Sequence, residues 1–250
     1  MKVIVKTTSK ITLAIFVLIF VSCKKNENNP VTQTTTSGNL PTVTKSWLNS
    51  NLNYGSVSDI DGNTYATIKI GTQEWMAENL RTTKYRDGTP IANVTDPNQW
   101  YNLTTGAWAH YNSDKSYEIP YGKLYNWYAV VDQRNLCPSG WHVPSDAEWD
   151  ILIGYLGGEN LAGGKMKSIG TQYWLGPNTD ATNERGFSGL PGGGNGFEGK
   201  SGCWWSTTVF TNSQYNINDI WTRSLNYNEA KIGKYFYGRN AGFSIRCIKD

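Results

Sequence analysis

The segment Pro144-Ser145-Asp146-Ala147-Glu148-Trp149 constrains this chain more than any other stretch of its sequence. Ser145 suits a helix N-cap, and Glu148 three positions later completes a capping box. Asp146 adds negative charge where the helix dipole is positive. Trp149, Leu152, Ile153 and Leu156 follow at helical spacing and predict a buried stripe, which Gly157-Gly158 stops. A first helix is predicted upstream over Tyr121–Asp132, from the face formed by Leu124, Trp127, Tyr128 and Val131. Little else reads as helix. With 26 Gly, 15 Tyr and 11 Trp, and only 17% charged residues, the chain has the composition of a turn-rich protein containing β-structure.

Strand signals surround the two helices. Tyr65–Ile70 alternates with Ile68 and Ile70 inward, and Trp75, Met76 and Leu80 are predicted core. Asp61-Gly62 predicts a hairpin turn before that strand. The neighbouring Asp59–Asn63 run is not a calcium loop, because its Gly stands fourth instead of sixth and position twelve is Ile70 instead of Glu. Leu161–Lys165, Asn183–Leu190 and Pro191–Gly196 read as Gly-rich loops. Cys203–Val209, Asp219–Leu225, Lys231–Tyr237 and Gly242–Ile248 read as a closing set of strands. The class is α+β.

The first 22 residues read as an address. Lys2, Lys6 and Lys10 precede the apolar run Ile11–Val21, which is too short for the roughly 20 residues a spanning helix needs. The run ends in Phe20-Val21-Ser22-Cys23, which resembles a bacterial lipobox with Cys23 as the acylated first residue of the mature chain. Two or three acyl chains anchor a protein stably to a bilayer. By resemblance to the sorting rules of such lipoproteins, Lys24 after the cysteine implies the outer membrane, with either face open. Residues 23–56 are rich in Asn, Thr, Ser and Pro and are expected to form a flexible tether, with one domain over 57–250. The formal charge of +3 does not imply nucleic-acid binding. The 23 basic residues less the three leader lysines leave 20, against 20 acidic residues.

Several blocks of the domain resemble one family. Asp61-Gly62-Asn63-Thr64-Tyr65, Ile70–Leu80, Tyr121–Ala129, Cys137–Trp149, Gly186–Gly193, Trp205-Ser206-Thr207-Thr208 and Gly242–Cys247 resemble, in order, the Fibrobacter succinogenes major paralogous domain. That resemblance implies bacterial surface lipoproteins without an assigned activity. The Pro-Ser-Asp-Ala-Glu-Trp helix and the Gly-Phe-Ser-Ile-Arg ending also resemble the formylglycine-generating-enzyme-like branch of C-type-lectin-like folds. This implies a mixed sheet with two helices and long Gly-rich loops. Such a fold hosts many functions and names none.

With Cys23 acylated, Cys137, Cys203 and Cys247 remain, enough for one bridge and one leftover thiol. The bridge Cys137–Cys247 is favoured. It ties the start of the second helix to the last strand, and the ends of lectin-like domains lie together in this way. Cys203 is then expected as a buried free thiol. Formylglycine-generating enzymes use a closely spaced cysteine pair, which this chain lacks. His110 and His142 form no metal-ligand spacing, so no catalytic residues, metal or cofactor are assigned. The sugar-binding motifs of calcium-dependent lectins are also missing.

The aromatic residues carry the remaining functional signal. Neighbours on a strand point to opposite faces, so Trp204 and Trp205 cannot share one core. Trp205 matches the family's core position, which makes Trp204 the exposed candidate. Trp100, Trp108, Tyr111, Tyr173 and Trp174 lie in loop-like stretches and complete a candidate aromatic set for a glycan or protein ligand. The expected function is a membrane-tethered, non-catalytic binding module. The alternatives are a structural or adhesive envelope component whose aromatics are all core, and a diverged enzyme of the formylglycine-generating type.

Overall fold

The computed structural model describes residues 45–193, 198–212 and 217–250. The expected signal peptide (1–22), Cys23 and the part of the expected 23–56 tether before residue 45 lie outside the described residues. The elements run β1 (Gly55–Ser58), β2 (Thr64–Ile70), β3 (Gln73–Met76), β4 (Ala92–Asn93), α1 (Pro97–Tyr101), β5 (Ala107–His110), α2 (Glu118–Tyr121), β6 (Lys123–Tyr125), α3 (Trp127–Val130), β7 (Trp141–His142), α4 (Asp146–Tyr155), α5 (Glu159–Met166), β8 (Ser201–Asn212), β9 (Ile217–Asn226), β10 (Ile232–Tyr237) and β11 (Ile248–Lys249). They form an α+β fold with sheets ordered β1-β2-β3-β11-β7, β10-β9-β8 and β4-β5-β6. All pairings are antiparallel except β4 with β5.

Local chemistry explains several of these elements. In α4 the Ser145 side chain accepts from the Glu148 amide while Glu148 reaches back to Ser145, closing the capping box. Trp149, Leu152 and Ile153 are buried as the spacing requires. Ser145→Ala is expected to cost about 1 kcal/mol, read as a lower midpoint in urea. Between β1 and β2, Gly62 adopts φ +82°, which suits glycine. The Asp59 carboxylate holds this turn by accepting from the amides of Asp61 and Asn63, the Asn63 side chain and the Tyr65 hydroxyl.

Strand β8 divides two cores. Trp205 enters a cluster with Tyr65, Tyr125, Phe243 and the disulfide. Trp204 enters a second cluster with Trp75, Trp149 and Phe187. Both tryptophans are fully buried. The alternation along the strand is as expected, but the exposure of Trp204 is not. Both faces of β8 are covered, one by the bridge side of the domain and the other by α4 and β3. The disulfide Cys137–Cys247 is present with Cα atoms 6.0 Å apart, within the normal range. Cys203 is free and buried, and burial pushes its thiol up to about 12.

Three expectations need correction. Tyr121–Asp132 is not one helix. Gly122 at φ +78° breaks it, Lys123–Tyr125 pairs with β5, and Asn126 caps only the single turn α3. Leu161–Lys165, expected as loop, lies in α5. Helix α5 keeps its glycines because a Cβ on Gly163 or Gly164 would sit 2.6 Å from the Lys231 backbone or 2.5 Å from the Asp180 carbonyl. Backbone contact with β10 sets this helix, and no apolar stripe announces it. The domain also starts before residue 57. Thr44–Asp250 forms one compact unit, with Trp47 4% exposed and the Lys45 ammonium on the buried Glu78 carboxylate at 2.5 Å.

His142, for which the sequence offered no metal-ligand spacing, lies on β7 between two carboxylates. Its Nδ1 is 2.7 Å from Asp250 and its Nε2 is 2.8 Å from Glu148. A neutral imidazole donates from only one nitrogen, so both bonds together require the imidazolium. Burial pulls its pKa down, but the bonds to Asp250 and Glu148 more than offset this and leave it above 6.5. A raised folded-state pKa gives stability that is full below pH 6.5 and lost as pH rises through the folded value. With 38% of the side chain exposed, the gain is expected to stay below about 1 kcal/mol. Melting of wild type and His142→Ala between pH 5 and 9 should show the gap closing as pH rises; a gap that widens contradicts the assignment.

Candidate ligand-binding surface

Most of the candidate aromatics turn out to be core. Trp204 (0%), Trp174 (1%), Trp108 (9%) and Tyr111 (1%) are buried. Each ring nitrogen of the three tryptophans has an internal acceptor: Asn79 Oδ1 for Trp204, the Gly189 carbonyl for Trp174 and the Ile91 carbonyl for Trp108. A face covered by protein on both sides offers nothing to a ligand. Trp100 is half-buried, donates to the Asn240 carbonyl at 2.6 Å and rests against Gly242, away from the others.

Tyr111 and Tyr173 are brought together, through residues the sequence did not flag. Tyr111, Tyr117 and Tyr121 form a triangle with centroid separations of 5.5, 5.5 and 5.9 Å. Tyr173 meets Tyr121 edge-on at 6.3 Å, and Trp47 meets Tyr173 at 6.1 Å. Tyr117, Tyr121 and Tyr173 are half-buried. The signal in the sequence was the concentration of Tyr111, Tyr117 and Tyr121 in one short stretch, which the helix assigned to Tyr121–Asp132 obscured.

The scaffold under this surface is firmly held. Glu118 bonds His110 at 2.8 Å and Lys123 at 2.9 Å, and the Lys123 ammonium lies 4.8 Å above the Trp108 ring. Burial raises the Glu118 pKa, but the Lys123 and His110 bonds outweigh it and keep the carboxylate ionised below its ordinary range. Asn79 donates to the Tyr121 carbonyl at 2.8 Å. A Cβ at Gly122 would lie 2.6 Å from that of Asn79, so this approach also requires glycine. The loop itself is strained. Asn112 and Ser113 have φ of +51° and +55°, a region that costs non-glycine residues of order 1–3 kcal/mol.

The Tyr111 hydroxyl is buried and has no hydrogen-bond partner among the described residues. Burial first, then the Glu198 carboxylate and the hydroxyls of Tyr121 and Tyr117, push its pKa far up. Burial likewise lifts Tyr121 to about 12. These phenols therefore remain protonated donors at physiological pH. Glu198 is exposed and accepts from the Asn112 amide at 2.7 Å.

Two other features stand out. A cleft of about 220 Å3 beside the disulfide includes Asp59, Arg86, Pro138 and Ser139. Asp59 is saturated by its turn, and Arg86 donates to the carbonyls of Cys137, Pro138 and Trp141. On the outer end of β8–β10, Phe210 and Phe236 stack at 4.4 Å and Trp221 meets both, tilted against Phe210 and edge-on to the exposed Phe236. Among the described residues, no group of three or more His, Cys, Asp or Glu side chains could hold a metal.

These features define a disulfide-bridged α+β domain that carries a cluster of tyrosines, Tyr111, Tyr117, Tyr121 and Tyr173, with Tyr111 buried beneath the others. The Fibrobacter succinogenes major domain matches residues 68–249, and the chain belongs to that family. No match was found among curated proteins or among solved structures.

Proposed function

We propose that the chain is an exported lipoprotein, held to the outer membrane by acyl groups on Cys23, whose domain is a non-catalytic binding module for a glycan or protein of the cell envelope. The address rests on Lys2, Lys6, Lys10, the apolar run and Cys23. Consistent with a lipid anchor, no helix among the described residues is long and apolar enough to cross a membrane. The observation that supports binding is the Tyr111 hydroxyl. Burying a polar group unpaired costs about 1–3 kcal/mol, and such a cost beside a strained loop is typical of functional sites. Against catalysis, two of the domain's thiols are bridged and Cys203 is buried and protonated.

Labelling with an alkyne palmitate analogue tests the anchor. Wild type should label and Cys23→Ala should not; an unlabelled wild type whose first 22 residues are retained removes this reading. A screen of the mature protein against glycan and envelope-protein arrays, with Tyr117→Ala and Tyr121→Ala as controls, tests binding. The burial of Trp204, Trp174 and Trp108 favours a second reading, a structural envelope component whose aromatics are core. Blank arrays with wild type and both variants would favour that reading.

A further inference from the structure

We infer that the exposed edge of β10 pairs with the same edge of a second copy of this chain, antiparallel across a two-fold axis at Phe236. The inference stands apart from the binding reading above and needs no ligand.

Strand β10 ends its sheet, in the order β10-β9-β8, so one side of its backbone has no strand partner among the described residues. Such an edge is a template for another chain, and proteins guard it with charges, proline or a bulge. Here the guard is thin. Ile232 and Gly233 are buried, but Lys234–Gly238 is exposed throughout. Tyr235, Phe236 and Tyr237 stand in succession at 47%, 41% and 38% exposure. The pairing with β9 is regular from Ile232 to Tyr237, with no bulge that turns the edge away. Lys234 is the one charged side chain in the exposed window. Asp146 holds its ammonium at 2.7 Å, and that ammonium lies 4.7 Å from the centre of the Trp221 ring.

Symmetry and charge select the occupant. Residues directly opposite in an antiparallel pair share a face of the sheet, and side chains alternate along each strand. A two-fold axis between two copies of one strand must therefore pass through a residue. The exposed window Lys234–Gly238 is centred on Phe236. That register sets Phe236 opposite its own copy and Tyr235 opposite Tyr237 on both sides of the axis. Such aromatic cross-strand pairs contribute about 0.2–1 kcal/mol each. Lys234 falls opposite Gly238, so no like charges meet and its bond to Asp146 is kept. The neighbouring registers fail. An axis at Lys234 opposes two ammonium groups. An axis at Tyr235 drives Tyr237 against Gly233, where the Tyr235 ring of the same strand already fills the space a Cβ would take. The contact is isologous and closes as a dimer. It is also small, so the association is weak and reversible.

The test is sedimentation velocity of the mature protein, expressed without acyl groups, over a wide concentration range. A reversible monomer–dimer equilibrium is expected. Phe236→Lys, which opposes two cations at the axis, should weaken it by about tenfold or more. Tyr235→Lys should weaken it as well, and because it spares the Phe210, Trp221 and Phe236 cluster its Tm should stay near wild type. Cysteine pairing reads the register. Oxidised with copper phenanthroline, Phe236→Cys should form a disulfide-linked dimer, because its copies face each other across the axis. Tyr235→Cys, offset from the axis, should not. A dimer indifferent to both lysine variants overturns the edge assignment, and cross-linking at Tyr235 in preference to Phe236 overturns the register. A monomer at every concentration overturns the dimer; loss of binding to phospholipid vesicles in Phe236→Lys then assigns the edge to a lipid surface instead.

Discussion

Wild-type protein with the Cys137–Cys247 bridge intact should melt far above the double variant Cys137→Ala/Cys247→Ala. The bridge spans 110 residues of sequence. In the chain-entropy model a loop of that size contributes roughly 4–5 kcal/mol by restricting the unfolded chain. For a domain of this size each kcal/mol moves Tm by about 2–4 °C, so a fall of roughly 10–20 °C is expected. Scanning calorimetry of both proteins gives the number. Cys203→Ala is the control: it leaves the bridge whole and removes one small buried group, so its fall should be much smaller. Denatured without reductant, the domain should titrate one thiol, Cys203. If the bridged and unbridged proteins melt within a few degrees of each other, the unfolded chain is already held compact by other contacts and the entropic account fails.

The second large effect is expected at Arg246, which is 1% exposed. Its guanidinium donates to Asn79 Oδ1 at 2.9 Å, to the carbonyls of Met76 at 3.3 Å and Ser188 at 3.2 Å, and to the Phe187 carbonyl. It also lies over the Phe187 ring at 4.5 Å. It makes no direct ion pair with a carboxylate among the described residues; the carbonyl and amide oxygens it bonds, with the Glu78 carboxylate farther off, partly offset its burial. Arg246→Ala strands these acceptors in the core and should cost about 3–5 kcal/mol. Arg246→Lys should recover little, because a point charge cannot replace a planar fork with several aligned donors. Chemical denaturation of both variants decides this. A lysine variant near wild type would mean that charge, not geometry, is what the site requires. The network also reaches the tyrosine surface, since Asn79 holds the Tyr121 carbonyl with its other amide atom. Arg246→Ala should therefore loosen Tyr121 as well as the core.

Much of the scaffold could be read from the chain before its coordinates. The α4 helix, the hairpin turn at Asp61-Gly62 and the strands β2, β8, β9 and β10 follow from contacts between residues a few positions apart. The misreadings had distant causes. Tyr121–Asp132 has a helical apolar pattern, yet Leu124 and Tyr125 are claimed by strand pairing with β5 and by a bridge to Phe243. Helix α5 has almost no amphipathic signature, because its inward face is the backbone of Gly163 and Gly164 against β10 and the Asp180 loop. The candidate site was half legible. Tyr111 and Tyr173 were flagged, while Tyr117, Tyr121 and Trp47 were not. What joins them is a contact between a loop near residue 115, a loop near 173 and the start of the domain.

The chain by itself determined the family, the capped helix and the identity of the thiol left over beside one bridge. Each depends on residue type or on neighbours a few residues apart. Tertiary structure alone decided which aromatics are available. Trp204 is hidden because helix α4, strand β3 and the Phe187 loop, all distant in sequence, cover the face that alternation left open. Tyr111 is buried for the same kind of reason: the rings around it are placed by packing, and packing is a sum over contacts that no local pattern encodes.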